Sequence, residues 1–95
     1  MKHEKIALVT GGSRGIGREI ASALARAGFG VAFTFNQSSD EASFIVEGLR
    51  SAGHKAMAIK MAVEDRSSVQ NALAQVRSQW GAVNVLVNNA AIAQE

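Results

Sequence analysis

The sequence predicts an α/β fold in which strands and helices alternate in the order βαβαβαβ around a doubly wound parallel sheet. Three observations favour this class: short apolar runs, longer intervening segments with apolar residues at helical spacing, and a glycine-rich turn directly after the first run. Because parallel strands need long crossover connections, the alternation predicts a sheet covered by helices on both faces.

The predicted strands are apolar runs of four to six residues, namely Ile6–Val9, Val31–Phe35, Ala56–Met61 and Val83–Val87. Right-handed crossovers favour the spatial order 3-2-1-4, with the first and fourth strands as neighbours. The fourth run is apolar throughout, so we expect it to be buried on both sides. Its outer edge would need a further strand to keep it from water.

Each of the three predicted helices carries one apolar stripe that faces the sheet. The residues of these stripes are Ile16, Ile20 and Leu24, with Ala21 and Ala25 beside them; Ala42, Ile45, Val46 and Leu49; and Val69, Leu73, Val76 and Trp80. A glycine follows each helix, at Gly28, Gly53 and Gly81, where a left-handed residue commonly ends a helix.

Length and composition exclude several classes of function. A chain of 95 residues makes one domain at most, and its net charge of +2 comes from scattered rather than clustered Lys and Arg, which argues against nucleic-acid binding. There is no cysteine, and His3 and His54 lie far apart, so we expect no metal site. No apolar stretch suits a membrane span or a signal peptide, which predicts a cytoplasmic protein.

The candidate binding site lies where the winding of the sheet reverses, beyond the carboxyl ends of the first and fourth strands. Doubly wound sheets bind ligands at this point, and two segments meet there, Thr10–Gly17 and Asn88–Ala91. A glycine turn that opens a helix forms an anion site, because the glycines admit the ligand and the helix N-terminus offers free N–H groups. The sequence therefore predicts a nucleotide site.

The glycine turn has two other interpretations. Gly12 and Gly17 have the spacing of a P-loop, but Arg18 and Glu19 stand where its lysine and hydroxyl residue belong, which argues against NTPase chemistry. The glycines could also merely shape a tight turn between strand and helix. Their position at the switch point favours dinucleotide binding over that interpretation.

The spacing Thr-Gly-x-x-x-Gly-x-Gly at Thr10–Gly17, with Asn-Asn-Ala at Asn88–Ala90, resembles the short-chain dehydrogenase/reductase family over the whole chain. Residues 5–10 and 13–17 resemble its 3-oxoacyl-acyl carrier protein reductase branch. The resemblance implies that residues 1–95 are the N-terminal portion of a Rossmann-type domain. It also implies a parent oxidoreductase, usually a homo-oligomer, that transfers hydride between a nicotinamide cofactor and a small carbonyl or alcohol substrate.

The resemblance also implies which residues contact the cofactor, while Asn88 would brace the sheet. These residues are Gly11, Ser13, Arg14, Gly15, Ile16 and Gly17 at the phosphates, Asn36 at the adenosine ribose, Val63 at the adenine, and Asn89 and Ala90 along the cofactor. Two positions depart from the family pattern. Ala91 replaces a glycine, and Ala62 replaces an Asp or Asn that contacts the adenine.

The residues after the second strand predict NADP(H) in preference to NAD(H). In NAD-binding folds an acidic residue about 20 residues past the glycine motif bonds the ribose 2′-hydroxyl and repels a 2′-phosphate. Asn36, Gln37 and Ser38 fill that region here, and none of them is acidic. Arg14 offers a planar set of donors that suits a phosphate.

The catalytic tyrosine, lysine and serine of the family lie in its second half, and no catalytic residue can be assigned in this chain. The sequence contains no tyrosine at all. We therefore interpret the chain as the cofactor-binding half of a longer reductase, inactive alone, whose parent reduces a carbonyl such as a 3-oxoacyl thioester with NADPH. The alternative is a non-catalytic nucleotide-binding or regulatory module.

Overall fold

A computed structural model of the chain describes residues 5–11, 15–36, 39–61 and 66–88. Strands and helices alternate as the sequence predicts, and Gly28, Gly53 and Gly81 take positive φ angles of 102°, 91° and 118° after the three helices. The elements in chain order are β1 (Ile6–Val9), α1 (Gly15–Arg26), β2 (Gly30–Phe35), α2 (Ser39–Ser51), β3 (Ala56–Lys60), α3 (Arg66–Gln79) and β4 (Val85–Val87).

All strand pairs are parallel, and the sheet has the order β3-β2-β1-β4, so the predicted doubly wound order is confirmed. In the ladder on either side of β1, Ala7 is paired with Val31 of β2 and with Val85 of β4. Because every strand runs in the same direction, the turns that follow β1, β2 and β4 all emerge at one edge of the sheet. We call this edge the carboxyl edge.

The core lies in two layers, one on each face of the sheet. On one face α1 and α2 pack against Val9, Val31 and Phe33, and on the other α3 packs against Leu8 and Ile59. Alternate residues of each strand therefore serve opposite layers, as expected for a sheet covered on both sides. No helix within the described ranges is long and apolar enough to cross a membrane.

The buried stripe of α1 differs from the prediction at Ile16. Gly17, Ala21 and Ala25 line the buried face, whereas the Ile16 side chain is 67% exposed. Residues at four-residue steps share one helix face, and Ile16 lies about 100° around the helix from Gly17. The small residues set the contact with the sheet, and Ile16 points away from it near the carboxyl edge.

The fourth strand is shorter than predicted, and the prediction that it is buried on both sides is wrong for Leu86, whose side chain is 46% exposed. Val83 lies before the strand. At the start of β4, the side chain of Asn84 takes part in the hydrogen bonding to β1 in place of a backbone carbonyl. The Asn84 N–H donates to the Ile6 carbonyl, and the Asn84 Oδ1 accepts from the Ile6 N–H, both at 2.8 Å. Among the described residues, no strand pairs with the outer edge of β4.

Candidate functional site

The glycine turn leaves the sheet at the carboxyl edge, between β2 and β4. The Thr10 N–H still donates to the Val87 carbonyl at 2.9 Å, so the β1–β4 ladder runs one residue past the end of β1. Gly11 then takes a left-handed conformation with φ 70°, and Gly15 takes another with φ 54° where α1 begins. Left-handed backbone costs a non-glycine residue about 1–2 kcal/mol, which explains glycine at these two positions.

Thr10 and Asn88 join β1 to the end of β4. The fully buried Thr10 side chain donates from Oγ1 to the Asn88 Oδ1 at 3.0 Å, and the Val87 carbonyl lies 3.4 Å from the same hydroxyl oxygen. The shorter distance marks the side-chain contact as the stronger of the two. The expectation that Asn88 braces the sheet is confirmed by this hydrogen bond.

Thr34 of β2 ties the glycine turn to the neighbouring strand, and the sequence reasoning missed it. The Gly11 N–H donates to the Thr34 Oγ1 at 2.8 Å, and the Thr34 side chain is buried. A signal existed in the sequence, because Thr34 is a hydroxyl residue at the carboxyl end of an otherwise apolar strand. A buried hydroxyl needs a hydrogen-bond partner, and at this position the partner is the turn.

The start of α1 has the features of an anion site. Gly15 and Ile16 are exposed, while Gly17 is buried. The first turn of the helix therefore packs against the sheet through Gly17, which has no side chain. The first N–H groups of a helix have no partner within it and carry part of the positive end of its dipole. The first turn holds no acidic residue, and Arg18 adds a positive charge. These groups fit a pyrophosphate.

Asn36 lies directly after β2, at the same edge as Gly11, and its side chain is exposed. Its amide offers both a donor and an acceptor and carries no charge, so it can bond a ribose hydroxyl without repelling a phosphate. Of the predicted site residues, the structure brings Gly11, Gly15, Ile16, Gly17 and Asn36 to the carboxyl edge. Five predicted residues lie outside the described residues: Ser13, Arg14, Val63, Asn89 and Ala90.

The residues that the structure describes at the opposite edge of the sheet lie away from this site. His54 lies there, half-buried, just before β3. Lys55 follows it, with its ammonium group 4.7 Å from the ring centre of Trp80, a distance suited to a cation–π contact. The described part of the chain contains no group of three or more His, Cys, Asp or Glu that could hold a metal ion.

The family model for short chain dehydrogenases matches residues 5–95 of the sequence. The chain belongs to the short-chain dehydrogenase family. Residues 5–95 include every strand and helix described above, together with both ends of the candidate site.

Curated relatives and solved structures agree with this assignment. The 3-oxoacyl-acyl-carrier-protein reductase FabG of Staphylococcus aureus strain Mu50 is 44% identical over 95 residues, which are 100% of this chain and 39% of the relative. The short-chain dehydrogenase/reductase homolog YusS of Bacillus subtilis is 43% identical over 88 residues, 93% of this chain and 81% of the relative. The chain thus spans less than half of FabG and most of YusS.

A short chain dehydrogenase from Burkholderia cenocepacia, solved in complex with NADP, superposes with a TM-score of 0.83 at 44% identity. The match covers 88% of this chain and 34% of that protein. The agreement in fold and sequence confirms the Rossmann-type architecture expected for this family member. It also confirms the resemblance to the FabG branch, since the identity to FabG extends over the whole chain.

Proposed function

We propose that residues 1–95 form the N-terminal, cofactor-binding portion of the Rossmann domain of an NADP(H)-dependent oxidoreductase. One observation carries the proposal: two left-handed glycines, Gly11 and Gly15, lead into the open N-terminus of α1 at the point where the sheet reverses its winding. Backbone N–H groups at such a helix start bind phosphate. The NADP complex of the Burkholderia relative, which has the same fold, supports this interpretation.

In this proposal the chain binds and orients the dinucleotide along the carboxyl edge. The glycine turn from Gly11 to Gly17 receives the pyrophosphate, with Ser13 contributing a hydroxyl group. Ile16, which is exposed beside the turn, offers an apolar surface to the cofactor. Asn36 contacts the adenosine ribose and Val63 the adenine. Asn89 and Ala90, which follow β4, lie along the remainder of the cofactor.

The preference for NADP(H) over NAD(H) rests on charge at the end of β2. Asn36 is neutral and is followed by Gln37 and Ser38, so no carboxylate stands directly after the strand to repel a 2′-phosphate. Arg14 supplies a guanidinium that can bond this phosphate with two parallel donors. A charged acceptor strengthens such hydrogen bonds, so this contact would dominate the choice between the two cofactors.

When bound, the nicotinamide would supply the hydride for the reduction of a carbonyl. The FabG relatives support a 3-oxoacyl thioester as the substrate class. A proton donor must also be placed beside the carbonyl oxygen. This chain contains no tyrosine, and His54 lies at the opposite edge of the sheet. We therefore assign cofactor binding, and no catalytic residue, to residues 1–95.

A second candidate is a nucleotide-binding module that does not catalyse. The site at the start of α1 favours it equally, because backbone N–H groups at a helix N-terminus bind a phosphate without taking part in a reaction. Both candidates require the same cofactor site and differ only in whether turnover occurs. A titration with NADPH therefore tests the part that they share, and an assay of turnover separates them.

We expect Gly15→Ala to weaken NADPH binding by about tenfold or more, the effect of losing a hydrogen bond to a charged group. An added methyl group at Gly15 meets no atom within 4 Å, but φ 54° strains an alanine and shifts the first turn of α1. The measurement is the dissociation constant of NADPH from the fluorescence of its reduced nicotinamide.

Gly28→Ala is the matched control. Gly28 is also left-handed, with φ 102° and open space for a methyl group, but it lies at the other end of α1. Both substitutions should lower the thermal stability by a similar amount, because both force an alanine into left-handed backbone. If Gly15→Ala binds NADPH as tightly as Gly28→Ala does, the proposed phosphate site is wrong.

A further inference from the structure

The Gly11 N–H group lies where the backbone ladder between β1 and β2 would continue. It donates to the side chain of Thr34 instead of to a backbone carbonyl. The N–H groups of Ile6 and Thr10, four residues apart, both donate toward β4. Successive N–H groups of a strand point to opposite sides, so the Gly11 N–H points toward β2. The Gly11 N–H donates to the Thr34 Oγ1 at 2.8 Å, at the point where the chain leaves the sheet.

The packing around Thr34 holds its hydroxyl in place. The Thr34 side chain is 1% exposed, and Thr34 is the register partner of Ile59, a core residue of β3. Two heavy atoms on Cβ also restrict threonine to few rotamers. The acceptor offered to Gly11 is therefore fixed in space.

Thr34 also stands between the two parts of the candidate cofactor site. Gly11 opens the glycine turn, and Asn36, at the end of β2, lies two residues beyond Thr34. The hydrogen bond that Gly11 donates to Thr34 thus links the start of the turn to the strand that carries Asn36. Continuing the strand register by one residue places Thr34, Thr10 and Asn88 in one row across β2, β1 and β4.

We infer that Thr34 is a positioning residue for the dinucleotide: its hydroxyl holds Gly11 so that the start of α1 and Asn36 keep the separation that the cofactor requires. The inference rests on the proposed function. Thr34 itself lies inside the sheet and acts through Gly11. The loss of its hydroxyl should therefore weaken cofactor binding by more than the loss of packing alone explains.

The test compares substitutions that differ in the hydroxyl oxygen. Thr34→Val replaces the hydroxyl by a methyl group, whereas Thr34→Ser and Thr34→Ala both lose the methyl group and differ from each other only in the oxygen atom. Ile59→Val is the matched control, because it removes one methylene from the paired core residue of β3 and leaves the hydroxyl in place. It should lower the melting temperature without affecting Gly11.

Two readouts are measured on the whole chain: the hydrogen-exchange rate of the Gly11 amide by NMR and the dissociation constant of NADPH. In Thr34→Val and Thr34→Ala we expect Gly11 exchange to become about tenfold faster and NADPH binding to weaken about three- to tenfold, the range for a neutral hydrogen bond. Thr34→Ser and Ile59→Val should stay near the unsubstituted chain in both readouts.

Equal NADPH affinity in Thr34→Ala and Thr34→Ser would overturn the inference, even if exchange at Gly11 became faster, because the hydroxyl would then support only the fold. Unchanged exchange at Gly11 would overturn it as well. If the unsubstituted chain binds no NADPH, the proposed function fails first, and the role of Thr34 toward the cofactor fails with it. The exchange rate still reports separately whether Thr34 holds the turn.

Discussion

Side-chain oxygen atoms complete the hydrogen bonding of β1 at both of its ends. The Asn84 Oδ1 accepts from Ile6 at the start, and the Thr34 Oγ1 accepts from Gly11 after the end. Each oxygen satisfies an N–H group at a position where the ladder stops, so neither end leaves a donor unpaired. At both positions a side-chain oxygen takes the place that a backbone carbonyl has within the ladder.

Single residues were the least predictable part of the site. Asn88 could be predicted as a brace because it belongs to a motif that the family shares. Thr34 and Asn84 belong to no such motif, and their roles depend on which strands lie beside β1. That information appears only once the sheet has formed, because both contacts join residues more than 20 positions apart.

We predict that Arg14→Ala weakens NADPH binding by about 1.5–3 kcal/mol, the contribution of a hydrogen bond to a charged group. NADH lacks the 2′-phosphate, so its affinity should hardly change. Isothermal titration calorimetry with both cofactors measures the two effects. Equal losses for NADPH and NADH would show that the substitution disturbs the glycine turn instead of removing a phosphate contact.

The first helix shows how an element meets the sheet through its smallest residues. Gly17, Ala21 and Ala25 form its buried face, and the larger Ile20 and Leu24 pack only partly against the core. The periodicity of apolar residues predicted the helix, but hydrophobicity alone placed Ile16 on the buried stripe. Burial in a close-packed contact depends on shape as well as on polarity, which is why small residues occupy the face.

We predict that Ala25→Leu destabilises the protein by about 1–3 kcal/mol, because three extra carbon atoms must enter a fully packed contact. Ala23→Leu is the control, since Ala23 is exposed on the same helix and leucine has nearly the helix propensity of alanine. Urea unfolding followed by circular dichroism gives both free energies of unfolding. Similar stabilities for the two variants would contradict the packing described for α1.

Across the whole molecule, the strand order followed from the sequence because right-handed crossovers leave few arrangements for βαβ units. The strand boundaries followed less closely. β2 begins at Gly30, and Met61 lies beyond β3 although its N–H still donates to the Phe35 carbonyl. Exposure along β4 could not be predicted from its apolar sequence, since Leu86 lies at an edge that the described residues leave unpaired.

The absence of tyrosine from the sequence, and the edge of β4 that the described residues leave unpaired, lead to a prediction for residues 1–95 on their own. We expect no NADPH oxidation with ketones or 3-oxoacyl thioesters, because no tyrosine is present and His54 lies away from the carboxyl edge. We also expect the isolated chain to self-associate through the outer edge of β4, because none of the described residues covers that edge.

The assay follows NADPH absorbance, with light scattering to establish that the sample is monodisperse. The Staphylococcus aureus FabG relative, assayed beside the chain, is the positive control: its turnover shows that the thioester can be reduced under the conditions of the assay. Steady turnover by a monodisperse sample of residues 1–95 would mean that a proton donor lies within this chain. The assignment of cofactor binding alone would then be wrong.

Calorimetric titration of the chain with NADPH and with NADH tests the central claim most directly, because the site at the start of α1 is proposed to bind a dinucleotide that carries a 2′-phosphate. The account predicts saturable binding of NADPH, with a dissociation constant lower than that of NADH. Failure of NADPH to bind, or tighter binding of NADH, would contradict it.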